Sequence, residues 1–307
     1  MTFSEKLKLA IEKYNSLVCV GIDPNRKQIP TCLWDMYPEK YAKNEEWRDF
    51  SVVYRFCVDI VDATAQHCCA FKPNMGFFES FGMAGADVLT KLCAYIKENY
   101  PDHVLVLDGK RGDIGNTADH YALSLKELGA DVVTVNPYLG PHTLEPFLKA
   151  GLGIIALCVT SNKDATIFQN VSVLLPDSVG DCADRKIPYY LWVAEVLTKG
   201  INFFGYEFKR TEIWEGQLGL VTGATHPKEL GEVRQLVGNE VVLLIPGIGK
   251  QEGNLKATVE NNGDGLAMIN VSRSVLYASN GEDYATAAAA EAEKTKNEIN
   301  KYRTPSV

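Results

Sequence analysis

No apolar run in this 307-residue chain approaches the roughly 18 residues needed to cross a bilayer, which excludes a membrane-spanning helix. A basic tract is missing too. The net charge is −8, so no non-specific nucleic-acid binding is expected, and an anionic ligand would need local cations set against the overall field. No two cysteines form a CxxC pair. The eight (Cys19, Cys32, Cys57, Cys68, Cys69, Cys93, Cys158 and Cys182) are scattered, several in apolar runs, and read as reduced, packed thiols rather than a zinc site. The five histidines form no cluster: His67 and His103 read as helix-end or loop residues, and His142 and His226 lie beside helix starts. Residues 1–14 lack the apolar core and cleavage site of a signal peptide, so the expected compartment is the cytoplasm.

What is present has the balance of a globular protein, 46% hydrophobic and 23% charged. Eight short apolar runs recur: Val18–Asp23, Ala70–Asn74, Val104–Lys110, Val132–Asn136, Ile154–Ser161, Leu218–Thr222, Val241–Gly247 and Leu266–Ser272. Continuous Val, Ile and Leu suit parallel strands covered on both faces. Between them lie helical patterns, clearest in Glu46–His67, where Phe50, Val53, Tyr54, Cys57, Ile60 and Val61 recur at spacings of three and four. Others are expected over Gly85–Asn99, Asn116–Leu128, Thr143–Ala150, Pro188–Lys199, Pro227–Val237, Gly253–Asn261 and Asp283–Lys301. The alternation predicts an α/β fold, a single (β/α)8 TIM barrel over residues 1–307. Two stretches exceed a minimal barrel, Pro24–Glu45 after strand one and Lys163–Gln217 after strand five.

Barrel enzymes place their reactive groups at the carboxyl ends of the strands. Here those ends are unusually polar: Asp23, Lys72 with Asn74, Asp108 with Lys110, Asn136, Thr160 with Ser161, and Ser272 with Arg273. Any one could be a solvated loop residue; six strand ends with the same character are harder to dismiss. Asp108 and Lys110 are two apart on a strand, so both face one side, at the barrel mouth after four apolar residues. Asp113 follows in the loop, and Lys72 would stand on the neighbouring strand, about 5 Å away in the pairing direction. Alternating carboxylates and ammonium groups hold one another charged. After strands seven and eight, Ile245-Pro-Gly-Ile-Gly249, then Gln251 and Arg273, offer backbone amides, a side-chain amide and a guanidinium, which suits a phosphate.

With these motifs the chain resembles the orotidine 5′-monophosphate decarboxylases, in the branch whose central segment reads Asp-x-Lys-Arg-Gly-Asp-Ile. The matching stretches are Gly21-Ile-Asp-Pro24, Phe71-Lys-Pro-Asn74, Asp108–Asp113, Thr160-Ser-Asn162, Gly223-Ala-Thr225, Pro246-Gly-Ile-Gly249 and Ser272-Arg273. The resemblance implies conversion of orotidine 5′-phosphate to uridine 5′-phosphate and CO2 in pyrimidine nucleotide synthesis, with no cofactor or metal. It implies a catalytic set of Lys72, Asp108, Lys110 and Asp113, in a homodimer where Asp113, Ile114 and Thr117 reach the partner's site. Asp23 and Thr117 would bind ribose hydroxyls with Asn74 nearby, and Thr160 and Ser161 the pyrimidine edge. The phosphate would fall to Pro246, Gly247, Gly249, Gln251, Ser272 and Arg273. No second, phosphoribosyltransferase domain is expected in the chain, which leaves room for association with a separate orotate phosphoribosyltransferase. Two readings compete. One is a Mg2+-dependent sugar-phosphate barrel such as a hexulose-phosphate synthase, in which the carboxylates would bind the metal; the other is a catalytically silent nucleotide-binding barrel.

Overall fold

The computed structural model describes residues 1–41, 43–175, 185–203, 206–248 and 254–303. All eight expected strands form: β1 Val18–Ile22, β2 Ala70–Pro73, β3 Val104–Arg111, β4 Val132–Val135, β5 Gly153–Val159, β6 Leu218–Thr222, β7 Val242–Pro246 and β8 Ala267–Val271. Each lies parallel to its sequence neighbour, and β8 returns to β1, with Val18 opposite Ile269, to close the barrel. Every residue of β1, β2, β4, β6 and β8 is buried, as both-face coverage demands. The helices cover the outside. Glu45–Thr64 starts under Asn44, whose side chain accepts the Trp47 N–H at 2.7 Å, and packs against Gly82–Asn99 and Tyr284–Tyr302. No helix among the described residues is long and apolar enough to cross a membrane.

The amino-terminal end of the barrel is held by buried polar ties. Asp131, just before β4, takes Lys6 at 2.7 Å and Lys97 at 2.8 Å and accepts the Leu105 N–H at 2.8 Å. The Arg234 guanidinium is buried, with no carboxylate beside it among the described residues. It donates instead to the carbonyls of Gly238, Val241 and Leu266 and to Asn262 Oδ1, at 2.6–2.8 Å, which ties the starts of β7 and β8 to two helices. Burial pushes its pKa down to about 10, which still leaves it charged at neutral pH.

His103 lies in the bend before β3, as expected, but its ring is fully buried 4.2 Å from Tyr14 and 5.0 Å from Phe71, and Nε2 bonds the Ala65 carbonyl. Two expectations need adjustment. The connection after β1 contains a helix, Thr31–Met36, and its Trp34 ring sits beside the Arg26 and Arg48 guanidinium groups, 5.5 and 5.2 Å from its centre. The stretch after β5 is structured as well. Around the expected helix, Tyr189–Lys199, it adds a short helix Ala165–Gln169 and two hairpins, Ser172–Leu175 with Arg185–Pro188 and Ile201–Phe203 with Tyr206–Phe208. Six of the seven described cysteines are buried and Cys32 is partly so; Cys182 lies outside the described residues.

Candidate active site

The chemistry gathers where β3 stops behaving as a regular strand. Leu107 pairs with Val133 but Arg111 with Val135, so four residues of β3 stand against two of β4. Within that bulge Lys110 adopts a left-handed backbone, φ 46°, which a side-chain-bearing residue rarely takes. Its N–H, lost to the ladder, donates to Thr134 Oγ1 at 2.9 Å. Asp108 and Lys110 were expected to share a face through the two-residue period of a strand. They do meet, but through this bulge.

Asp108 is the hub. Its Oδ2 accepts Lys72 Nζ at 2.8 Å, and its Oδ1 accepts Lys110 Nζ at 2.6 Å and the Thr134 hydroxyl at 2.8 Å. Lys72 and Asp108 are almost wholly buried, while half of the Lys110 side chain stays exposed to the cavity. Burial by itself would neutralise Asp108, but the Lys72 and Lys110 charges outweigh it and hold the carboxyl well below the usual range. Burial would likewise drive Lys72 down; Asp108, and then Asp23, reverse that and keep the ammonium charged well beyond its ordinary range. The result is a buried ion pair, Lys72 with Asp108, and a Lys110 side chain that joins it while facing open space.

That space is a cavity of about 520 Å³ at the carboxyl ends of the strands. It brings together eleven of the residues expected from sequence: Asp23, Lys72, Asn74, Asp108, Lys110, Thr160, Ser161, Pro246, Gly247, Ser272 and Arg273. Asp23 has a buried Oδ1 with no hydrogen-bond partner, and its carbonyl accepts from the Tyr277 hydroxyl at 2.7 Å. Asn270 Oδ1 is a second orphaned acceptor. Buried acceptors without donors are expected where a ligand supplies hydroxyl or amide hydrogens. Arg273 has no acidic partner among the described residues, so its guanidinium can meet an anion. At β1 a Cβ on Gly21 would stand 2.0 Å from Ser272 Oγ and 3.1 Å from Ser272 Cβ, so a larger residue there would displace the Ser272 side chain from its place in the cavity wall.

Asp113, Ile114 and Thr117 stand outside this cavity, the first two just before helix Gly115–Glu127 and Thr117 in its first turn, with Ile114 and Thr117 exposed. Gly249 and Gln251 lie outside the described residues. Sequence reasoning missed Thr134, Asn162, Gln169 and Asn270 as cavity residues. Thr134 is hidden because threonine inside Val132–Val135 reads as an ordinary β-former. Gln169 carries no strand-end signal at all. Among the described residues, no group of three or more His, Cys, Asp and Glu side chains is placed to hold a metal ion.

Comparison with known proteins agrees in kind and extent. An orotidine 5′-phosphate decarboxylase of Cupriavidus metallidurans is 40% identical over 308 residues, covering 99% of each chain. The solved Leishmania donovani OMP decarboxylase is 30% identical with a TM-score of 0.73, covering 98% of both chains. The Leishmania donovani UMP synthase structure is 31% identical with a TM-score of 0.76; it covers 99% of this chain but only 56% of that longer one. The family described as orotidine 5′-phosphate decarboxylase / HUMPS matches residues 16–288, and with full-length relatives at this identity the chain belongs to that family.

Proposed function

We propose that this barrel, residues 1–307 as one domain, is a carboxy-lyase that converts orotidine 5′-phosphate to uridine 5′-phosphate and CO2 in pyrimidine nucleotide synthesis. The observation that carries the reading is the ionised Lys72–Asp108–Lys110 array at the cavity floor, with Lys110 exposed to the cavity. Breaking the C6–carboxylate bond leaves its electron pair on C6, in an orbital that the ring π system cannot delocalise. Stabilisation must then come from a charge already in place. Lys110 supplies it, and its Nζ gives a proton to C6 as CO2 departs. Lys72 keeps Asp108 ionised and fixed, and Asp108 sets negative charge where the substrate carboxylate leaves.

The remaining assignments follow the cavity. Asp23, with its orphaned oxygen, suits a ribose hydroxyl near Asn74; Ser161 suits the pyrimidine edge, with Thr160 beside it in the turn. Pro246, Gly247, Ser272 and Arg273 would receive the phosphate, with Gly249 and Gln251 completing the grip, and binding energy from that remote group is available at C6. A Mg2+-dependent sugar-phosphate reaction is disfavoured because both Asp108 oxygens are engaged by Lys72, Lys110 and Thr134. The working unit in this reading is a homodimer in which Asp113, Ile114 and Thr117 of one protomer complete the other's site. The exposed Ile114, outside its own protomer's cavity, supports it. Orotidylate would be supplied by an orotate phosphoribosyltransferase reaction.

The test follows orotidylate absorbance in excess EDTA, with wild type beside Lys110→Ala. Expected is turnover to uridylate by wild type and a loss of at least about 10³-fold in kcat for the variant, which removes both the stabilising charge and the proton donor. A folded wild type that leaves orotidylate unchanged overturns the reading.

A further inference from the structure

The turn after β5 is gripped by a residue that no strand-end reading points to. Gln169 closes helix Ala165–Gln169 and lines the cavity. Its carboxamide engages Thr160 twice: Oε1 accepts the Thr160 N–H at 2.9 Å, and Nε2 donates to Thr160 Oγ1 at 2.9 Å. Thr160 Oγ1 in turn donates to Asn162 Oδ1 at 2.7 Å, and the Asn162 carbonyl accepts the Ala165 N–H at 3.1 Å. The chain thus runs from Thr160 through the short helix and back to Thr160 as a closed, hydrogen-bonded ring. From the other side the segment that follows β6 holds the same turn. Thr225 Oγ1 donates to the Ser161 carbonyl at 3.1 Å, and Gly223 lies so close that a Cβ there would stand 2.8 Å from Ser161 Cα.

This geometry leaves a division of labour within the turn. The Thr160 hydroxyl has a donor and an acceptor already and its N–H is occupied, so it has little left for a ligand. The Ser161 side chain stands between two clamped neighbours and lines the cavity.

We propose that Gln169 is a positioning residue for recognition of the pyrimidine ring edge: its two bonds to Thr160 set the turn that presents Ser161, so the insertion after β5 sets substrate specificity. The inference rests on the decarboxylase reading of the cavity.

The test is Gln169→Leu, which keeps the side chain's bulk and removes both bonds, compared with wild type for orotidylate kinetics and for binding of uridylate and cytidylate. The two nucleotides share ribose and phosphate and differ only at the ring edge. Expected is a KM and a uridylate Kd raised about tenfold, from two neutral hydrogen bonds lost, with kcat moving less than about twofold. Expected also is a smaller preference for uridylate over cytidylate. In a cycle with Thr160→Val the double variant should be no worse than the more affected single variant, because both changes break one clamp. An unaltered uridylate preference in a folded Q169L protein, or fully additive effects in the cycle, overturns the proposal. Failure of the wild type to turn over orotidylate would instead sink the underlying function.

Discussion

Thr134 shows how one hydroxyl serves two ends of the charged array. It donates to Asp108 Oδ1 while accepting the Lys110 N–H, and it is itself buried. Threonine and valine have the same shape, so Thr134→Val should fold while leaving the Lys110 N–H without its acceptor and removing one donor from the carboxylate. We expect kcat to fall about 10- to 100-fold, with uridylate affinity changed far less, and Thr134→Ser to recover most of the loss. Steady-state kinetics and a uridylate titration check this; a valine variant with wild-type kcat would show that the bulge holds Lys110 unaided. Tyr277 works similarly at a distance, donating to the Asp23 carbonyl and accepting the Asn25 N–H, both at 2.7 Å.

Among elements, β5 slips one residue against β6, with Leu157 opposite Val221 but Val159 opposite Thr222, while β3 departs further from regularity and does so where the chemistry lies. A regular strand would place Asp108 and Lys110 side by side but commit the Lys110 N–H to β4. The bulge releases it to Thr134 and re-aims the side chain. At the other end of the barrel the elements are joined for strength. Arg234 donates to three carbonyls and to Asn262 around the starts of β7 and β8, where the Leu266 carbonyl also accepts the Leu243 N–H at 3.0 Å. Arg234→Met should therefore destabilise the fold by about 3 kcal/mol, the order expected when a buried hydrogen-bonded cation's acceptors are left bare. Denaturant unfolding measures it. An unchanged midpoint would mean that water or a shift of helix Pro227–Val237 satisfies the carbonyls.

At the scale of the whole molecule, one protomer's cavity holds three of the four charged residues expected from the motif, and Asp113 is not among its walls. The dimer reading makes a quantitative prediction. Lys110→Ala and Asp113→Ala homodimers should each be nearly inactive, yet a mixture allowed to exchange subunits should regain about a quarter of wild-type activity. Half of the dimers are then hybrids, each with one intact site. No recovery in a mixture shown to contain hybrids would place Asp113 in its own protomer's chemistry. The buried ties around Asp131 and Arg234 lie at the amino-terminal face, away from this shared region, which separates the residues that hold the barrel from those that act.

The order of strands and helices, the closed barrel and most of the cavity's charged residues were determined by the sequence itself. Apolar runs of strand length can be buried only between layers of helix, and their polar ends must emerge at one rim. Lys72, Asp108, Lys110 and Arg273 were legible because charges at such ends are costly unless they meet one another or a ligand. Tertiary structure alone decided the rest. The bulge at Lys110 depends on a hydroxyl from the next strand, the burial of His103 on two aromatic rings far away in sequence, and the role of Gln169 on a helix folding back onto Thr160. Each is a contact between side chains with no periodic relation in the chain, so no local pattern could announce it.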